Sequence, residues 1–97
     1  MYKSGTVYIM SLSNRNSLYV GVTSDLAGRV WQHKNKAYPD SFSAKYNCVQ
    51  LVWYKHPDSI EEAIAEEKRI KGGSRKRKEE LMDNLNPTGE DPYETIL

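Results

Sequence analysis

The chain has one cysteine, Cys48, which excludes an internal disulfide framework and any cysteine-built zinc site. No apolar run approaches the ~18–20 residues that a membrane-spanning helix needs, so no membrane partner is expected. The opening stretch "MYKSGTVYIM" (Met1–Met10) also lacks the long apolar segment of a secretory leader. Internal repeats and low-complexity segments are missing as well. A reducing cytoplasm is the expected setting. Cys48 lies within "NCVQLVWY" (Asn47–Tyr54) and reads as a buried structural thiol rather than a nucleophile.

What is present is the composition of one ordinary folded domain. Of 97 residues, 38% are hydrophobic and 28% charged, which is too apolar for wholesale disorder. The net charge of +1 hides an asymmetry. Residues 1–56 carry seven Lys and Arg against two acids, whereas residues 57–97 carry seven against eleven. The basic front half suggests an acidic partner such as nucleic acid, although solvated helix faces account for such charge equally well.

"TVYIMSL" (Thr6–Leu12) is rich in strand formers, "SNRNS" (Ser13–Ser17) reads as a turn, and "LYVGV" (Leu18–Val22) returns as the second strand of a hairpin. Tyr8 and Tyr19 then fall on facing strands, and Gly21 leaves backbone open to close approach. Thr23 or Ser24 is expected to cap a helix reaching about Lys36, with Asp25 in its first turn. Leu26, Ala27, Val30 and Trp31 form its apolar stripe, and Arg29 and His33 share a flank one turn apart. "KAYPDSFSAKYN" (Lys36–Asn47) reads as a polar loop, and Cys48–Tyr54 as a third strand.

Ser59 with Glu62 makes a capping box for a helix to about Lys71, which Gly72 and Gly73 stop. Ser74 starts a last helix that buries Leu81, Met82 and Leu85. The order β-β-α-β-α-α predicts an α/β fold, a small and mostly antiparallel three-stranded sheet flanked by helices. Residues 1–87 form the expected single domain, and residues 88–97 an irregular tail.

On the third helix, Ile60, Ala63, Ile64 and Ile70 define the expected inward stripe, and Glu67 falls in its middle. Glu61, Glu62 and Glu66 are expected to point elsewhere. A carboxylate facing a core needs an ion pair, a proton or a cation. Glu67 is therefore either a satisfied ion-pair partner or a site acid or hard-metal ligand. Tyr8 and Tyr19 read as sheet-packing aromatics or as site phenols, Arg29 as a partner of Asp25 or of a phosphate, and His33 as a surface histidine or a site group. His56 reads as a turn residue. Lys71, Arg75, Lys76, Arg77 and Lys78, with Lys34 and Lys45 nearer the front, form either solvated faces or contacts to nucleic acid. Together, two phenols, an Arg, a His and an inward Glu make the set that phosphodiester hydrolysis needs: a proton acceptor, a cation for the phosphorane and a metal ligand.

"VYI" (Val7–Ile9) followed by "LYVGVT" (Leu18–Thr23), "DLAGRVWQH" (Asp25–His33) and "AIAEEKRIK" (Ala63–Lys71) resembles the GIY-YIG nuclease family, and most closely its small single-domain bacterial members. The resemblance covers roughly residues 5–87. It implies hydrolysis of nucleic-acid phosphodiesters, with DNA favoured over RNA, using one Mg²⁺ or Mn²⁺. It assigns Tyr8 as general base or water-orienting group, Tyr19 as a positioner of water and phosphate, Arg29 as the phosphate ligand, His33 as a proton-transfer or phosphate group, and Glu67 as the metal ligand. The departures are Thr6 for the first glycine of the name motif, Glu79 where many members have Asn, Glu66 for a basic residue, and Gly73 for a large apolar one. These departures also admit a catalytically weak nucleic-acid-binding module on the same scaffold.

Overall fold

A computed structural model describes residues 5–12, 17–85 and 91–96. Three strands, β1 (Thr6–Ser11), β2 (Leu18–Thr23) and β3 (Gln50–Lys55), form one sheet in the order β2-β1-β3. Both pairings are antiparallel, so the sheet is wholly rather than mostly antiparallel. Among the described residues four α-helices accompany it: α1 (Leu26–Lys34), α2 (Phe42–Lys45), α3 (Ile60–Lys71) and α4 (Arg75–Leu85). The expected turn over Ser13–Ser17 lies outside the described residues except for Ser17, as does the side chain of Leu85.

Alternation along the strands splits the core into two layers. Val7, Ile9 and Val20 face α3 and α4, where they pack with Ile70 and Met82. Tyr8 and Met10 point the other way, against Leu26 and Val30 of α1. The register slips between Ile9, which pairs with Trp53, and Met10, which pairs with Leu51. This bulge leaves Val52 over and turns both Val52 and Trp53 into the α3/α4 layer.

Four local readings are corrected. Asp25, not Thr23 or Ser24, caps α1, its carboxylate accepting from the Gly28 N–H at 3.1 Å. Trp31 is 53% exposed, while Leu26, Val30 and His33 are the buried residues of α1. The stripe runs i, i+4, i+7, so it lies on the His33 side of the helix. The 36–47 stretch is not all loop. Ser41 caps the single turn α2 and Asn47 ends it in the left-handed region (φ 54°), a conformation Asn tolerates. Finally, the tail expected to be irregular forms a 3-10 turn over Pro92–Ile96. Asp91 accepts from the Leu51 N–H (3.3 Å) and from Lys34, and Tyr93 and Ile96 pack on the α1 layer.

The α3 helix begins as the sequence predicts, with Ser59 accepting from Glu62 N at 3.2 Å. Its approach to the sheet depends on Gly5. A Cβ there would lie 2.6 Å from Ile60 Cδ1 and 2.9 Å from Ala63 Cβ. Gly5→Ala is expected to lower stability by about 1–3 kcal/mol, the usual cost of overpacking, as measured by urea unfolding.

Candidate active site

The α1 layer of the sheet carries the first part of the site. Tyr8 and Gly21 are direct partners across β1 and β2. A Cβ on Gly21 would sit 2.6 Å from the Tyr8 hydroxyl and 2.9 Å from the Tyr19 ring. The missing side chain is what lets the Tyr8 phenol lie flat over β2 and reach α1. There its hydroxyl meets His33 Nε2 at 2.9 Å. The far ring nitrogen, Nδ1, is 2.7 Å from Ser43 Oγ, and Ser43 Oγ is 3.3 Å from Ser41 Oγ. Tyr19 closes the cluster, its ring centroid 6.2 Å from that of Tyr8 and 5.1 Å from that of His33.

Arg29, one turn before His33, faces both phenols within hydrogen-bonding reach. It donates to Gln32 Oε1 at 3.0 Å and lies over the Tyr38 ring, 5.5 Å from the centroid. The alternative partner Asp25 is engaged in capping instead. Burial tends to lower the Arg29 pKa, but the two phenols more than offset it and hold the guanidinium charged.

Burial sorts the cluster. Tyr8 is fully enclosed, whereas Tyr19 is half-buried. Burial pushes the Tyr8 phenol well above its ordinary pKa, and the neighbouring Tyr19 adds to this against the pull of Arg29. The Tyr8 phenolate is therefore unavailable near neutral pH, and Arg29 does not suffice to lower it. Tyr8, expected as the group that meets the attacking water, stands behind Tyr19. His33 is buried rather than exposed on a helix flank. Burial first, and Arg29 second, lower its pKa to about 4, so it is a neutral imidazole at physiological pH.

Glu67 stands apart from this cluster, in the α3 layer. Its side chain is 21% exposed and its carboxylate lies 3.4 Å from Lys71 Nζ. Glu66, expected to point away, is covered even more, at 16%, and is bound by Arg69 at 2.6 Å. Ile64, expected inward, is 41% exposed. The inward centre of α3 is Ala63 and Ile70, with Glu66 on one flank and Glu67 on the other.

The Glu67 flank leads to the free edge of β2. There a hollow of about 360 Å³ is lined by Tyr19, Leu18, Val20, Phe42, Lys71, Arg75 and Lys78. Tyr19 and Lys71 thus join the two layers around an edge strand. Of the other expected nucleic-acid contacts, Lys45, Lys76 and Arg77 are exposed. Lys34 is not presented outward: it bonds Val49 O at 3.0 Å and Asp91, and it lies over Tyr93. Thr6, which replaces the first glycine of the name motif, hydrogen-bonds His56 Nδ1 at 2.6 Å and so gives His56 a structural partner.

As a test for a divalent ion, the donor chemistry fits. Glu67 offers a partly covered hard oxygen, and Mg²⁺ is commonly held by one or two carboxylates with phosphate and water completing the shell. No group of three or more His, Cys, Asp or Glu comes together among the described residues. An ion held at Glu67 would need further oxygens from substrate and solvent.

Two outcomes follow from the geometry. Between pH 4 and 6.5 an unfolded His binds a proton that folded His33 refuses. The His33 contribution to stability is thus complete above pH 6.5 and disappears as pH falls through about 4. The wild type is expected to lose on the order of 2–3 kcal/mol over that window relative to His33→Gln, as read by urea unfolding at each pH. Gly21→Ala is expected to displace the Tyr8 ring and shift the His33 imidazole resonances while the fold persists, as read by NMR.

A model of the GIY-YIG catalytic domain matches residues 4–80. A UPF0213 protein of Haloquadratum walsbyi is 34% identical over 77 residues, which cover 79% of this chain and 84% of its relative. No solved structure matches at the same stringency, and no helix among the described residues is long and apolar enough to cross a membrane. With the matched segment holding Tyr8, Tyr19, Arg29, His33 and Glu67, the chain belongs to the GIY-YIG nuclease family.

Proposed function

We propose that the protein is a divalent-metal-dependent endonuclease that hydrolyses phosphodiesters in nucleic acid, with DNA as its substrate. One observation carries this reading: Tyr19, whose ring lies against those of Tyr8 and His33, lines a hollow together with Lys71, Arg75 and Lys78. A phosphate entering there meets cations on one side and a proton-accepting chain on the other.

Tyr19, as the phenol that reaches the hollow, holds the attacking water. When the water's oxygen attacks phosphorus, its proton goes to the Tyr19 oxygen. The Tyr19 proton passes to Tyr8, and the Tyr8 proton passes to His33 Nε2. His33, neutral and with a low proton affinity at rest, gains affinity as the phosphate charge offsets that of Arg29. Arg29 forms charge-assisted hydrogen bonds to the phosphate oxygens, which strengthen as negative charge grows on the phosphorane. Glu67 would hold one Mg²⁺ or Mn²⁺. The ion, when bound, supplies Lewis-acid charge at the phosphate and its leaving oxygen. Lys71, Arg75 and Lys78, with the exposed Lys45, Lys76 and Arg77, hold the flanking phosphates, so binding weakens steeply with salt.

The Lys71–Glu67 contact favours a second reading, a binding module in which the lysine keeps the carboxylate from the metal. A plasmid-nicking assay with Mg²⁺ or Mn²⁺ separates the two. The nuclease cleaves, loses activity in EDTA, and falls at least 100-fold in Arg29→Ala and Glu67→Ala while both variants remain folded. Salt-sensitive DNA binding without metal-dependent cleavage establishes the module instead. Cleavage that survives Glu67→Ala overturns the assignment of the ligand.

A further inference from the structure

Ser43 belongs to none of the motifs that mark the family in this chain, yet it is one of four buried polar residues among those described, only 2% exposed, and its hydroxyl is turned onto His33. A neutral imidazole carries one proton on one of two nitrogens, and what faces each nitrogen decides which. Facing Nε2 is the Tyr8 hydroxyl, and facing Nδ1 is the Ser43 hydroxyl. Both can donate or accept, so the hydrogen-bond partners beyond them settle the direction.

On the Ser43 side, the next oxygen is Ser41 Oγ at 3.3 Å. Ser41 Oγ already accepts from the Ala44 N–H at 3.3 Å and keeps a second lone pair. Ser41 Oγ can thus take the Ser43 proton, and in that arrangement the Ser43 oxygen is free to accept. On the Tyr8 side, the one hydrogen-bond partner of the buried hydroxyl among the described residues is His33 Nε2, at 2.9 Å. A phenol is a better donor than acceptor, so the Tyr8 proton is best used toward that nitrogen. Both ends push the same way.

We infer that Ser43 is a positioning residue, its Oγ accepting the Nδ1–H of His33 so that Nε2 is left bare to receive the proton of Tyr8. In the transfer the Tyr8 O–H bond breaks and an Nε2–H bond forms. The Nδ1–H stays in place on Ser43, and the positive charge of the resulting imidazolium is spread toward that oxygen. No proton leaves through Ser43; its part is to fix the tautomer and the ring plane. The opposite tautomer would present a donor to Tyr8 and close the chain to proton transfer. The tautomer rests on the contacts that His33 makes with Tyr8 and Ser43, whereas its consequence for cleavage rests on the nuclease reading above.

The experiment is long-range ¹H–¹⁵N correlation NMR of the full chain labelled at histidine, at neutral pH. His33 is expected as the Nδ1–H tautomer with an unprotonated Nε2. In Ser43→Ala both tautomers become populated, and in Ser43→Thr, which keeps the hydroxyl, the wild-type pattern returns. In the nicking assay Ser43→Ala is expected to lower kcat by about 10- to 100-fold with KM within about twofold, a split that Ser43→Thr reverses. An Nε2–H tautomer in the wild type overturns the proposal, as does a Ser43→Ala variant with the wild-type tautomer and kcat. If Ser43→Ala does not fold, the wild-type spectrum and Ser43→Thr still decide. An Nδ1–H tautomer in a protein that cleaves nothing under any metal upholds the Ser43 assignment and removes the nuclease reading.

Discussion

The hydrogen bond between the Tyr8 hydroxyl and His33 Nε2, 2.9 Å long and buried, is the contact on which the site depends. It joins the central strand β1 to α1 across the core, and it exists only because Gly21 leaves β2 bare beneath the phenol. A phenol and an imidazole sealed from water without partners would each cost about 1–3 kcal/mol. The chain satisfies both through each other and through Ser43. The polar network is thus part of the hydrophobic layer that contains Leu26, Val30, Leu51 and Cys48. Its groups are held by packing on every side, which is the preorganisation that the proposed proton transfer would require.

Strand order explains how two layers come to share one site. With β1 in the centre and β2 at one edge, side chains on opposite faces of the sheet can meet around the rim of β2. Tyr19 arrives there from the α1 layer, and Lys71, Arg75 and Lys78 arrive from α3 and α4. The residues that bury the rest of the core, Val7, Ile9 and Val20 on one face and Tyr8 and Met10 on the other, keep the two layers at fixed separation. The open edge of β2 is covered by cations rather than by another strand, which also discourages edge-to-edge pairing.

Much of this was legible in the chain. The hairpin follows from "VYI" and "LYVGV", with Tyr8 and Tyr19 on facing strands, whereas the register that sets Tyr8 opposite Gly21 is seen only in the fold. The cap at Ser59 and the break at Gly72 and Gly73 mark α3 correctly. Glu67 is legible because it interrupts an apolar period, yet the buried period of α3 lies about one residue from the one that bulk suggests. Ile64 was counted inward, so Glu66 on the opposite flank was overlooked. On α1 the same kind of error put Trp31 inside and left His33 in doubt. Weight given to bulk favoured the indole, whereas the i, i+4, i+7 spacing of Leu26, Val30 and His33 is what the fold uses. Ser43 was hidden for a different reason. A single turn has too few residues to show periodicity, and only the Ser41 cap and the Asn47 stop signal it. The fate of Lys34 depends on Asp91, 57 residues away, a distance over which pattern reading carries no information.

The two ends of the site differ in how firmly they are held, and the difference suits their chemistry. Tyr8, His33 and Ser43 are enclosed and mutually bonded, so their geometry is set before any substrate arrives. Glu67 has a partner in Lys71 at 3.4 Å, but that lysine is 54% exposed, and an ion pair of this kind contributes only about 0–1 kcal/mol. Exchanging it for a hard cation costs Glu67 little. The released ammonium would still line the hollow, where a phosphate takes the place of the carboxylate. In the proposed nuclease, a rigid proton-handling half and a yielding charge-handling half would thus face each other across one edge strand, to be completed together by substrate and ion.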